Sequence, residues 1–307
     1  MITAISITTP LVDLLTAYRR DKAITAGWHQ QMDIAVRAFG RHLDRLPTVA
    51  DLQRATVHDY MDAAGREAAA ATVNSKRSAL LALWNYAVDE GADIAPPRRV
   101  KRAVEGRDPP NAWTLEQVGR LFAASRMEPG FWGDMPAFAC WELGLSLVWD
   151  TGCRFAELWL ARCVDLDPAN RTWRVPAAHR KGRRQGRLYR ISAETAALAA
   201  QTMTGRETAD RLWPFPFRRE QVWVHFDRIL ARAGLPTGRR SKWHCLRRTA
   251  ESHAAAAMGS QWAAEAVGHS EAVARKHYLA PDIVTAPTLA EALPRPDRAS
   301  VLRVFAG

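Results

Sequence analysis

The sequence predicts a mainly α protein with one small β-hairpin or sheet, split into a helical first domain and a mixed α/β second domain. Three observations predict it. Apolar residues recur at helical spacing along most of the chain. A length of 307 residues fits two domains at about 150 residues each. One basic loop, flanked by short runs of Trp/Val and Leu/Tyr/Ile, breaks the helical pattern in the second half. Hydrophobic residues make up 48% of the chain, enough to build cores and too many for a disordered one.

In chain order, Leu11, Leu14, Leu15 and Tyr18 share one helix face, and Trp28, Met32, Ala35, Val36, Phe39 and Leu43 share the next. Leu46-Pro47 is a stop, and Thr56 is a candidate cap for a helix through Tyr60 and Met61. Thr72 opens an amphipathic stretch with Val73, Leu80, Leu81, Leu83, Trp84, Tyr86 and Ala87, which Gly91 closes. Residues 92–110 read as a linker. Two proline pairs bracket Arg98, Arg99, Lys101 and Arg102, which are either solvated or laid along a polyanion. Thr114 with Gln117 forms a capping box that starts the second domain. Helices follow to Phe122, from about Pro136 to Trp149, and after a turn to Leu160. Residues 172–177 and 188–192 form the hairpin, and helical pattern resumes from Ala193, broken at Trp213-Pro214 and Gly234-Leu235-Pro236.

Charge narrows the function. The net charge is +11 and the sequence pI about 10.1, which points to a polyanionic partner. Apolar runs are too short for a transmembrane helix, and residues 1–10 lack the charged and apolar regions of a signal peptide. Cys140, Cys153, Cys163 and Cys245 show no metal-ligand spacing and read as buried thiols of a cytoplasmic protein. No phosphate-binding glycine loop is present.

Five local features carry chemistry. Between Arg171 and Arg190 lie eight basic residues, Lys181 among them, and no Asp or Glu. That favours a polyanion over a merely solvated loop. Lysine can donate a proton where arginine, with its much higher pKa, cannot. Arg154 follows Gly152 in a turn, with Glu157 three residues on. By itself that pair reads as structural. His244 and Arg247 lie three apart at a helix start, where both reach the same side and suit one phosphate. Gly268-His269 and Tyr278 complete the set. A phenol with pKa near 10 attacks nothing unless nearby cations activate it.

Taken in order, TGCRFAEL, HCLRRT and GHS followed by Tyr278 resemble the tyrosine recombinases, or phage integrase family, over about residues 114–279. A weaker likeness to the family's helical core-binding domain covers about residues 11–91. The resemblance implies a helical core-binding, SAM-like domain over 1–92, a basic linker over 93–110, a mixed α/β catalytic domain over 111–280 and a tail over 281–307. It implies catalytic roles for Arg154, Lys181, His244, Arg247, His269 and Tyr278, with Glu157 in support. Where the family often has threonines before the tyrosine, this chain reads Ala274-Arg275-Lys276-His277.

The implied reaction cleaves and rejoins DNA through a 3′-phosphotyrosyl bond, using no cofactor and no metal. The implied partner is double-stranded DNA, held by a homotetramer, with a monomer as the open alternative for the protein without DNA. Asn74, Lys76 and Arg77 in the first domain, with Arg180, Arg183 and Arg184 in the hairpin, are candidate DNA contacts. No arm-binding domain is expected before Leu11. The apolar tail residues Val301 to Phe305 are expected either to link subunits or to pack on their own domain. A type IB topoisomerase-like enzyme, a DNA-binding protein without catalysis, and an RNA-binding or structural basic protein are the rival readings. The six-residue set and its motif order favour a recombinase over all three.

Overall fold

The computed structural model describes residues 5–106, 109–133, 135–180, 182, 185–238 and 243–284. It divides into two units, Met1–Arg107 and Asp108–Gly307.

The first unit holds four helices: α1 Leu11–Asp21, α2 Ala26–Leu43, α3 Arg54–Glu67 and α4 Ala70–Asp89. The apolar stripes read from the sequence meet in one core, where Leu11, Leu14, Met32, Phe39, Val57, Leu80 and Leu83 are essentially inaccessible to solvent. Thr25 caps α2 by accepting from the Trp28 backbone N–H at 3.2 Å. Thr56 is not a cap. It lies inside α3, whose N-cap position is Gln53. Helix α4 likewise starts at Ala70, two residues before Thr72. Gly91, at φ +83°, ends α4 in a Schellman arrangement: its N–H bonds the Val88 carbonyl and the Ala92 N–H bonds that of Ala87.

The stretch expected to be a linker folds back on this unit. Val100 is buried in its core. The Trp84 indole donates to the Ala95 carbonyl at 2.8 Å, and Arg77 donates to the Val100 carbonyl at 2.7 and 3.1 Å. Asn74 receives the Ala103 N–H and donates to the Ala103 carbonyl, both at 2.9 Å, and donates to Glu105 at 2.6 Å. Asn74 and Arg77, expected among the DNA contacts, are ties that hold residues 95–105 in place. A buried amide needs its donors and acceptor met, and the backbone of this segment meets them. Lys76 remains half-buried, its ammonium 5.8 Å from the centre of the Tyr60 ring.

The second unit opens with α5 (Leu115–Ser125), whose Thr114–Gln117 capping box forms as expected, with bonds of 3.2 and 2.9 Å. A small hairpin that the sequence did not announce follows, β1 (Phe131–Trp132) with β2 (Met135–Pro136). Next come α6 (Ala137–Thr151) and α7 (Phe155–Leu160). The basic hairpin is the antiparallel pair β4 (Thr172–Val175) and β5 (Arg187–Arg190), with Trp173 opposite Tyr189. It is widened to three strands by β3 (Leu166–Asp167), two residues too short to leave an alternating pattern. Helices α8 (Ala193–Met203), α9 (Gln221–Arg232), α10 (Trp243–Met258), α11 (Ser260–Val267) and α12 (Glu271–His277) complete it. All four cysteines are buried free thiols. No helix among the described residues is long and apolar enough to cross a membrane.

Helix α6 is the central strut, buried along most of its length and packed on α5, α8 and α10. Tryptophans fill the core around it: Trp141, Trp173, Trp213 and Trp243 are almost fully buried. The Trp213 indole donates to the Cys140 carbonyl at 2.8 Å and lies against Gly144. A Cβ on Gly144 would sit 2.6 Å from the indole nitrogen. In an open helix Gly→Ala stabilises by about 1 kcal/mol. Here overpacking reverses the sign, and Gly144→Ala is expected to lower stability by roughly 1–3 kcal/mol, read as a lower urea midpoint at unchanged m.

Candidate active site

Each of the expected site residues that the structure describes sits where a helix begins, ends or is buried. The turn between α6 and α7 is set by Gly152, at φ +57°, where a Cβ would lie 2.9 Å from a methyl of Val267 in α11. Only a residue without a side chain gives both that conformation and that approach. Arg154 is the N-cap residue of α7. Its backbone N–H donates to Glu157 at 2.8 Å and its guanidinium donates to the same carboxylate at 3.3 Å.

Glu157 is fully buried. It also accepts from Arg180 Nε at 3.3 Å and from the Tyr189 hydroxyl at 3.4 Å. One buried carboxylate thus binds an arginine of the turn, an arginine of the loop after β4 and a tyrosine of β5. Arg180, expected among the DNA contacts, is a largely buried partner of Glu157 that also donates to the Gln185 carbonyl at 3.1 Å. The hairpin has no acid of its own. The compensating charge arrives from α7, which a count within the hairpin could not reveal. Lys181, Arg183 and Arg184 lie outside the described residues.

Helix α10 carries the densest group of buried polar side chains. Arg247, Thr249, Glu251 and Ser252 are all inaccessible to solvent. Arg247 Nη1 donates to the Gly152 carbonyl, which ties α10 to the Arg154 turn. Its Nε and Nη2 are buried and have no hydrogen-bond partner among the described residues. The guanidinium faces the Tyr278 ring, 5.1 Å from its centre. Thr249 receives the Trp113 N–H at 3.0 Å, and His253 meets the Trp113 carbonyl at 2.9 Å, so the start of this unit is pinned to the same helix.

Tyr278 ends α12 and is 7% exposed. Its carbonyl accepts from the Ser252 hydroxyl at 3.0 Å, whose oxygen in turn receives the Ala280 N–H at 3.0 Å. Two histidines flank its ring. His269 stacks on it with centres 4.7 Å apart and planes 22° apart, and His244 lies 5.5 Å away. His269 Nε2 meets Glu251 at 3.1 Å. Gly268, at φ +94°, precedes it, and a Cβ there would run into the guanidiniums of Arg187 and Arg180. Arg187 also donates to the Glu265 and Ala266 carbonyls at the end of α11, a helix terminus that favours a cation.

The fold therefore brings Arg247, His244, His269 and Tyr278 together, with Arg154 close enough to act on His244. Glu251 and Ser252 went unnoticed in the sequence, and Arg187 was counted only as one of the eight basic residues of the hairpin. Glu251 left one signal, a carboxylate four residues after Arg247 in an alanine-rich buried helix. Ser252 left none, since its partner is a backbone carbonyl far along the chain.

No protein-family model and no curated protein sequence matches the chain. Solved structures do. The Tn1549 transposon integrase in complex with transposon right end DNA superposes with a TM-score of 0.70 at 13% identity, over 97% of this chain and 100% of that one. A lambda integrase dimer bound to a COC′ core site gives 0.66 at 18% identity, over 87% and 95%. A lambda integrase tetramer bound to a Holliday junction gives 0.66 at 18%, over 86% and 75%. The chain has the fold of the tyrosine recombinases.

Burial of its ring, with the charges of Arg247, Arg248 and Arg154, pushes the His244 pKa down to about 4. In the unfolded chain it lies near 6.5. Between those values the unfolded chain binds a proton that the folded protein does not. Stability is therefore undiminished by this group above about pH 6.5 and falls as the pH drops toward 4. His244→Gln is expected to flatten that slope, checked by denaturant titrations near pH 7 and near pH 5.

Proposed function

We propose that this protein is a site-specific DNA recombinase that cleaves and rejoins duplex DNA through a 3′-phosphotyrosyl intermediate and integrates or excises a mobile element. One observation carries the reading. A tyrosine ring is enclosed by an arginine and two histidines, and that arginine keeps two buried nitrogens without a partner among the described residues. A buried guanidinium short of acceptors calls for an anion, and a phosphodiester has the two oxygens to supply them. The net charge of +11 and the integrase–DNA complexes that share the fold support DNA as the source of that phosphate.

The residue types then divide the work. Tyr278 attacks phosphorus and the 5′-oxygen leaves, so the bond is conserved in the protein–DNA link. Arg247 and Arg154 bind the non-bridging oxygens as charge builds on them. A preorganised donor of this kind is worth about 3–4 kcal/mol in the transition state. His269 adds a donor to the same phosphate. His244, neutral at pH 7, is in the form that can accept the tyrosine proton. Lys181 donates a proton to the leaving oxygen. Four strand cuts are needed to exchange two duplexes, which suits a tetramer assembled on DNA in the cytoplasm.

Covalent capture tests this. The protein is incubated with fragmented genomic DNA of its source, denatured in SDS, and the linked DNA sequenced. Wild type is expected to yield adducts at a defined site. Tyr278→Phe is expected to yield none while still retaining DNA in a filter-binding assay. Adducts from Tyr278→Phe would remove Tyr278 from the role. On the recovered site, Lys181→Ala is expected to slow cleavage about 10²–10⁴-fold. A 5′-bridging phosphorothioate, whose leaving group needs no proton, should restore the rate. Absence of rescue would place the general acid elsewhere.

A further inference from the structure

His269 has two ring nitrogens, and the structure gives them different surroundings. Nε2 points inward to Glu251 at 3.1 Å, and Glu251 is completely buried. Nδ1 lies on the other side, 3.2 Å from the carbonyl of exposed Ser270. A carboxylate opposite a ring nitrogen fixes the proton on that nitrogen, because two acceptors cannot bond each other. Glu251 stands one helical turn after Arg247 on α10, so the arginine and the histidine that flank Tyr278 are set from the same helix. Its second oxygen, Oε1, is buried and has no partner among the described residues. Among the described residues His269 is therefore the only hydrogen-bonding partner of a fully buried carboxylate.

We propose that Glu251 is the positioning residue of this site. It binds His269 through Nε2–H, keeps the imidazole stacked on Tyr278, and leaves Nδ1 as the nitrogen that donates to the scissile phosphate. This rests on the recombinase reading for the identity of the phosphate, but not for the Glu251–His269 pair itself. The phosphate oxygen takes the place of the Ser270 carbonyl opposite Nδ1. A ring that donates from both nitrogens is positively charged, and Glu251 is the counter-charge beneath it. The carboxylate works through histidine and touches neither DNA nor the attacking oxygen.

Two measurements test the proposal separately. The first needs no DNA. In the full chain labelled with 15N-histidine, long-range 1H–15N correlation spectra report which nitrogen carries the proton. The His269 signals are identified by their loss in His269→Asn. A protonated Nε2 whose resonance moves in Glu251→Ala is expected. An unprotonated Nε2, or a resonance indifferent to Glu251→Ala, overturns the pairing whatever reaction the protein performs.

The second uses a nicked duplex carrying the captured site and reads the adduct rate at saturating DNA. Asparagine places its amide nitrogen near the Nδ1 position and glutamine near Nε2. His269→Asn is expected to react at least about tenfold faster than His269→Gln, since loss of one transition-state donor costs about 10²–10³. The reverse order overturns the assignment of Nδ1.

Glu251→Ala is expected to slow the reaction about tenfold or more without changing DNA affinity, and Glu251→Gln, whose amide oxygen still accepts from Nε2, to recover most of it. In a His269→Ala background Glu251→Ala should cost nothing further. Full additivity of the two losses would mean that Glu251 acts by stabilising the fold and not through His269. If wild type forms no adduct on any DNA, the recombinase reading fails, and the spectra still decide the Glu251–His269 contact.

Discussion

The second unit is organised around a buried guanidinium. Arg247 is inaccessible to solvent, yet among the described residues only one of its nitrogens has a hydrogen-bond acceptor, the Gly152 carbonyl. Removing a cation from water costs several kcal/mol unless partners replace the water. The surroundings limit that cost without consuming the donors. The Tyr278 ring offers its π face to the cation. The guanidinium is thus held in place with two of its nitrogens left without an acceptor among the described residues.

Holding Arg247 in this way constrains what lies around it. The accepting carbonyl belongs to Gly152, so the α6–α7 turn must come within bonding distance of α10, and it does so by resting on Val267 where no Cβ fits. Arg154 follows in that turn, locked by Glu157. Glu157 reaches on to Arg180 and Tyr189, and Arg180 and Arg187 close over Gly268 beside His269. Turn, sheet and the segment before Tyr278 are therefore linked through two buried carboxylates, Glu157 and Glu251. A displacement of the basic hairpin would be felt at His269 through Arg187 and the end of α11 before it reached the tyrosine.

Much of this was legible before the structure. Helical spacing located the first four helices because each buries one face, and a buried face imposes a period. The Thr114–Gln117 capping box and Gly91 were local signals with local outcomes. Of the residues in the ordered motifs, His244, Arg247, His269 and Tyr278 lie together in the fold. What stayed hidden depends on partners distant in sequence. Thr56 has the chemistry of a cap, but the chain enters α3 three residues earlier. Asn74 and Arg77 look like exposed polar residues of a helix start until residues 95–105 lie across them. The two-residue strands β1, β2 and β3 are too short to show alternation.

The basic residues show why charge indicates a partner more reliably than it indicates contacts. Pairing leaves the net charge of +11 unchanged, since each ion pair consumes one residue of either sign. What pairing changes is which arginines are engaged within the chain. Arg45 is spent on Asp51, Arg126 on Glu142, Arg232 on Glu128, Arg180 on Glu157, and Arg77 on a backbone carbonyl. Arginine serves both uses for one reason: its planar fork satisfies carboxylates and carbonyls inside the protein as well as it satisfies phosphate outside. A sequence count adds these together. Only burial and partners separate Arg180, which braces the hairpin and is 14% exposed, from Arg247, which is fully buried and has two nitrogens with no partner among the described residues.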